Sequence, residues 1–142
     1  MIIIDTGPLV ALFDPKDPDH NPCHLVLDQI TSPLCCTEAV LTEVLHMLDA
    51  GSRGIQGIKE FILNEYLHIY SLTHTEILSC FDLMEKYSDL PMDFADGSLL
   101  VIAERFHLSK IFTLDFKDFS AYRFTKGHKN FPFELLGREL LE

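Results

Sequence analysis

The sequence predicts an α/β protein of three layers, with a central, mainly parallel sheet of four or five strands flanked by helices. Short, fully apolar, β-branched runs such as Ile2-Ile3-Ile4 are the kind buried on both faces of a parallel sheet. They alternate with longer segments whose apolar residues recur at helical spacing, which implies right-handed βαβ units. With 142 residues, 47% hydrophobic and including 11 Phe, the chain has the size and core material of one domain, expected to span 1–142.

Each element follows from local signals. Residues 2–4 form the first strand and stop at Asp5. Pro8 suits the first turn of a helix whose apolar side is Leu9, Val10, Leu12 and Phe13. After a turn over 14–18, Cys23, Val26, Leu27 and Ile30 recur at helical spacing until Ser32-Pro33 breaks the pattern. Residues 34–36 are a second strand. Thr37 can cap a helix through Val40, Leu41, Val44, Leu45 and Leu48 that stops near Gly51. A helix over 53–65 buries Ile55, Ile58, Phe61 and Ile62, and a third strand covers 67–72. Thr73 with Glu76 forms a capping box for a helix through Ile77, Phe81, Met84 and Tyr87, ended by Leu90-Pro91. A helix over 93–106 carries Leu99, Ile102, Ala103 and Phe106 on one side. A fourth strand over 110–114 leads to Asp115, and 122–124 reads as a fifth. Residues 133–141 fit either a short helix or a strand-like tail.

Composition excludes several classes. No apolar stretch approaches the ~20 residues of a membrane span, and the first residues lack the basic region of a signal peptide. A cytoplasmic protein without membrane association is expected. The cysteines at 23, 35, 36 and 80 form no C-x-x-C pair, which argues against a zinc knuckle, and adjacent Cys35-Cys36 in an apolar run reads as two small buried thiols. A net charge of −11 opposes binding to a phosphate backbone, yet the charges are segregated. Residues 103–142 hold 7 of the 11 Lys and Arg against 6 of the 22 Asp and Glu. Arg105, Lys117 and Arg123 belong to this late group, a phosphate-facing patch or an ordinary solvated face.

In open α/β sheets, ligands bind beyond the carboxyl ends of the strands, where strand order reverses. Asp5 and Asp115 each follow an apolar strand and fall there. Glu43 shares a helix face with Ala39, Val40 and Met47; it either faces inward and needs a partner or reaches water at the stripe's edge. Asp93 and Asp96, three apart at a helix start, can each cap free N–H groups. Asp93 is assigned the cap or an outer-sphere role and Asp96 the ligand role, the latter partly because Gly97-Ser98 lets that helix approach a neighbour. Three or four carboxylates at one point require a cation, and an all-oxygen set suits Mg²⁺ or Mn²⁺ better than zinc. Such an ion polarises a phosphodiester, acidifies water and orients in-line attack, and it reverses the local field toward a polyanion.

The segment 2–13, an apolar strand ending in Asp5-Thr6, resembles the opening of PIN-domain proteins, and 14–23 is similar to the acidic, histidine-containing turn after that opening. Thr42-Glu43-Val44-Leu45 resembles the family's helical Glu segment, 96–104 its Asp-Ala-x-Leu helix with Gly97 in place of the commoner Ala, and Thr113-Leu114-Asp115 with Asp118-Phe119 its Thr-x-Asp ending. The resemblance covers nearly the whole chain in order. It implies Mg²⁺ or Mn²⁺ held by Asp5, Glu43, Asp96 and Asp115, with the Thr6 and Thr113 hydroxyls orienting ligands or water. Many small stand-alone members are VapC-type toxins that cleave RNA and are silenced by an antitoxin, and the chain length fits that group. An endoribonuclease with an RNA substrate, and one for which a cognate antitoxin is possible, is therefore expected; separately, an exposed apolar helix face suits a homodimer.

Two other readings compete with this one. Asp5-Thr6-Gly7 is also the aspartic-protease tripeptide, but those folds are β-rich. A non-catalytic PIN-like module that binds RNA or protein is the alternative function. His20 and His24 stand i, i+4 without the Glu of H-E-x-x-H and read as surface histidines.

Overall fold

The structure is a computed structural model describing residues 1–142. In chain order its first half comprises β1 (Ile2–Ile4), α1 (Thr6–Phe13), α2 (His20–Asp28), β2 (Leu34–Thr37), α3 (Glu38–Met47), α4 (Arg53–Leu63) and β3 (Leu67–Tyr70). Its second half comprises α5 (His74–Lys86), α6 (Phe94–Phe106), β4 (Lys110–Phe112), α7 (Phe116–Ala121), β5 (Arg123–Lys126), β6 (Lys129–Pro132), β7 (Glu134–Leu135) and α8 (Arg138–Leu141). Five strands run parallel in the order β3-β2-β1-β4-β7.

The chain starts at the centre of this sheet, builds outward through β2 and β3, then returns to place β4 on the other side of β1. Right-handed crossovers in opposite directions put their helices on opposite faces. Accordingly α1 packs on α2, α3 and α4, whereas α5 packs on α6, which lies over β2. Strand order reverses between β1 and β4, so the crevice expected of such sheets opens at their carboxyl ends.

The central strands are apolar because both faces are covered: Ile3, Ile4, Cys35, Cys36, Ile111 and Phe112 have no exposed surface. All four cysteines are buried free thiols, and burial pushes each of them up, away from thiolate character. Helix starts follow the sequence signals. Thr37 caps α3, and Thr73 with Glu76 forms the capping box of α5. His24 is exposed and His20 half-buried, and their ring nitrogens meet the Leu12 and Ala11 carbonyls in the last turn of α1 at 3.2 and 2.6 Å respectively. No helix is long and apolar enough to cross a membrane.

Residues 122–124 do not supply the sheet's fifth strand. They enter β5, which pairs antiparallel with β6 in a separate hairpin, and the fifth sheet strand is the two-residue β7 beside β4. The hairpin is favoured because Lys126 and Lys129 pair across a two-residue turn in which Gly127 takes φ +65°, and β7 is too short to carry a periodic signal. The tail over 133–141 thus contains both a strand and a short helix.

Candidate metal centre

Asp5 stands at the end of β1 because its backbone N–H still donates to Phe112 O of β4 (2.9 Å), after which the chain turns into α1. Its side chain caps that helix: Asp5 Oδ1 accepts from Thr6 N at 2.8 Å. Its other oxygen, Oδ2, accepts from the buried Thr113 hydroxyl at 2.9 Å, and that hydroxyl in turn accepts from Asp115 N at 3.0 Å. One threonine therefore ties the ends of β1 and β4 together across the switch point. Thr6 forms a second tie, donating its hydroxyl to Glu43 Oε1 at 2.7 Å and fixing α3 to α1.

Asp96 arrives from the other face. Asp93 caps α6, its Oδ1 accepting from Asp96 N at 2.8 Å. One turn on, Thr37 at the end of β2 is 2.6 Å from Ser98 Oγ; since Ser98 donates to Ala95 O, Thr37 is the donor. Gly97 faces Cys80 of α5 closely, where an added Cβ would come to 3.5 Å, an ordinary contact that leaves room for Ala. The start of α6 is thus held against both β2 and α5.

The electrostatics record four acids in one region. Burial pushes the Asp5 carboxyl from 3.8 to about 6; Thr6 and Thr113 oppose the rise, while Asp115 and Glu43 add to it. Asp96 reaches about 8, through burial first and then the charges of Asp5, Asp93 and Asp115. The protein's ion pairs are Arg105–Glu76 and Arg138–Glu142, so no cationic side chain neutralises any of the four. At the same time, no three His, Cys, Asp or Glu side chains stand together in ready ligand geometry. The acids share one end of the sheet, each held by hydrogen bonds within the protein, without closing into a shell. The donors are all hard carboxylate oxygens, chemistry that fits Mg²⁺ or Mn²⁺.

Two further residues join the region. Tyr122, fully buried, directs its hydroxyl to Asp96 Oδ2 at 3.4 Å, and burial together with Asp96, Asp118 and Asp115 pushes that hydroxyl's pKa upward, keeping it a donor. Asp118 donates its backbone N–H to Asp115 Oδ1 at 3.1 Å, and its carboxyl is raised by burial and by Asp115. Asp118 was legible as the acid three residues after Asp115. Tyr122 carried no local signal, because its role depends on α7 folding back toward α6.

The basic residues part company. Arg105 is bound to Glu76 of α5 through two nitrogens and also donates to Ser71 O, so its guanidinium ties α6 to α5. Arg123 donates to the Ser120 and Tyr122 carbonyls. Lys117, exposed on α7 beside Asp118, makes no ion pair.

Comparison with known proteins agrees with this architecture. The PIN domain profile matches residues 2–124. Ribonuclease VapC26 of Mycobacterium tuberculosis is 31% identical over 126 residues, covering 86% of this chain and 92% of that protein. In solved structures, VapC20 of Mycobacterium tuberculosis, a toxin that cleaves the sarcin–ricin loop, superposes with a TM-score of 0.77 at 18% identity, covering 91% of this chain and 100% of that one. A toxin–antitoxin complex from Klebsiella pneumoniae gives a TM-score of 0.63 at 17% identity, covering 84% of this chain and 91% of that one. By the extent of the profile match and the identity to VapC26, the chain belongs to the PIN-domain family, on its VapC ribonuclease side.

Proposed function

We propose that the chain is a divalent-metal-dependent endoribonuclease, the toxin of a toxin–antitoxin pair, in which Asp5, Glu43, Asp96 and Asp115 hold Mg²⁺ or Mn²⁺. The observation that carries this reading is that four carboxylates from four separate elements share the carboxyl end of the sheet, with Asp5 and Asp96 held above the ordinary carboxylate range and no cationic partner among them. Keeping such groups ionised costs free energy that a divalent cation would return. When bound, the ion would supply Lewis-acid polarisation of a phosphodiester and make water a better nucleophile.

The chain's own residues do the positioning. Thr113 holds Asp5 toward the β1/β4 crevice and Thr6 holds Glu43. Asp93 fixes the first turn of α6, and Tyr122 offers a hydroxyl to Asp96. Lys117 is the cation nearest in sequence to this edge and suits a substrate phosphate. RNA as substrate is supported by what VapC26 and VapC20 are named for, and an antitoxin partner by the Klebsiella complex. Exposed apolar side chains on α5, Ile77, Leu78 and Phe81, suit a homodimer, and the apolar groove of about 250 Å³ between α3 and α4, lined by Leu45, Ile55, Ile62 and Leu63, suits a protein partner.

The lack of a ready ligand shell favours a second reading, a non-catalytic module that binds RNA or protein. The two separate in one experiment. Purified protein is incubated with RNA in Mn²⁺, Mg²⁺ or EDTA, and Mn²⁺ uptake is measured by calorimetry without RNA. Cleavage and Mn²⁺ binding, both lost in EDTA or in Asp5→Asn, are the expected result. RNA binding without cleavage would establish the module, and cleavage that survives EDTA would remove the metal.

A further inference from the structure

The β5–β6 hairpin lies outside the parallel sheet, and its turn and second strand lie beyond residue 124, where the PIN-domain match ends. Thr125 N donates to Glu104 Oε1 at 3.1 Å, which anchors the hairpin on α6. Its register sets Phe124 opposite Phe131 and Lys126 opposite Lys129. In a strand, residues two apart share a face, so these four side chains occupy one side, while Thr125 and Asn130 pair on the other with 3.0 Å between their side-chain oxygens.

That side borders an open cleft of about 590 Å³ lined by Phe124, Phe131, Phe133, Lys126, Ser109 and Glu134, among others. Phe124 is buried against Phe133, with ring centroids 5.0 Å apart, whereas Phe131 keeps 36% of its surface exposed. Lys126, His128 and Lys129 are exposed, and none forms an ion pair. Two lysines directly opposite each other destabilise a strand pair. A chain with twice as many acids as bases has carboxylates to place beside them, and places none in contact.

We infer that this face of the hairpin is a second nucleic-acid contact, which takes an unstacked base of single-stranded RNA against Phe131 and the adjoining phosphates on Lys126 and Lys129. An exposed aromatic ring beside a cationic track is the combination that single strands use, because every base has a π-face and every linkage a charge. Ser109 and Glu134 add hydrogen-bonding groups for the base edge. Ser109 precedes β4 and Asp115 follows it, so extended chain at ~3.3 Å per residue sets the cleft roughly 20 Å from the acids. A few nucleotides of extended strand bridge that span. The inference rests on the RNA reading above but concerns a different surface.

The test uses the full-length protein, a fluorescent single-stranded RNA oligonucleotide and its duplex, with anisotropy measured in EDTA across a salt series. Lys126→Gln/Lys129→Gln should weaken single-strand binding and reduce the slope of log K against log salt by about 1.4, the value for two phosphates on a single strand. Phe131→Leu, which keeps an apolar side chain, should cost at least about fivefold in affinity. The lysine variant should melt no lower than wild type, since its cross-strand repulsion is gone. In Mn²⁺, both variants should raise KM for cleavage and leave kcat unchanged. If wild type binds RNA but never cuts, and the variants still bind more weakly, the hairpin contact stands and the nuclease reading fails. If wild type cuts and the variants bind and cut as it does, the hairpin contact is overturned. Equal affinity of wild type for duplex, or variants that alter only the oligomeric state, would also overturn it.

Discussion

Replacing Asp96 by Asn should stabilise the metal-free protein, and increasingly so as pH rises. The Asp96 carboxyl stands at about 8 in the folded protein against an ordinary 3.8. Between those values the native state binds more protons than the unfolded chain, so stability falls as pH rises through this window; below about pH 4 both states are protonated and the penalty is absent. Above pH 8 the full difference corresponds to about 6 kcal/mol. Asp96 is only partly buried, and solvent screening brings the expected gain from Asp96→Asn to about 1–3 kcal/mol. Asn keeps the shape of the side chain and leaves the Asp93 cap, which uses only the backbone N–H of residue 96. Urea unfolding in EDTA at about pH 5 and about pH 8.5 measures the effect, and a repeat with Mn²⁺ should raise wild type far more than the variant. A gain equal at both pH values, or a variant less stable than wild type at the higher one, would refute the account of the acid region.

Three further outcomes are expected. Asp5→Asn should abolish RNA cleavage with the fold retained by circular dichroism, whereas Asp93→Asn, which preserves a cap acceptor, should leave cleavage near wild type; equal loss would make Asp93 a ligand. Thr113→Val removes the link between Asp115 N and Asp5 Oδ2, and should cost about 1–3 kcal/mol by urea unfolding and weaken Mn²⁺ affinity about 10–100-fold by calorimetry. Arg105→Ala should lower stability by about 1 kcal/mol through loss of Glu76, with KM for RNA unchanged; a raised KM would return Arg105 to the substrate surface.

The fold was legible where local and tertiary demands agree. Ile2-Ile3-Ile4 can only be a strand covered on both faces, and Asp5 ends it because its carboxylate caps the next helix. Thr37, Thr73 and Asp93 announced three helix starts through the same capping chemistry. The fifth strand was not legible. Tyr122 to Phe124 has the alternation of a half-covered strand, but its partner is the next strand in sequence across Gly127-His128, and nothing local distinguishes that from entry into the sheet. Placement of acids at strand ends could be read, since it follows from α/β topology alone. The contacts of each side chain could not. Thr6 reaching Glu43 and Tyr122 reaching Asp96 depend on helix packing, as does the pairing of Arg105 with an acid 29 positions earlier.

The formal charge of −11 overstates the field an approaching polyanion meets at the acid region. With Asp96 raised to about 8, its carboxyl holds a proton at neutral pH in the metal-free protein, so one of the four acids contributes no charge there. A divalent cation held as proposed would have to displace that proton, so its affinity should rise with pH up to the Asp96 value and its binding should release a proton, which calorimetry in buffers of different ionisation heat would measure. The proton and a bound cation would thus be alternative occupants that relieve the same repulsion, and of the two only the cation would offer a phosphate oxygen a Lewis-acid site to coordinate.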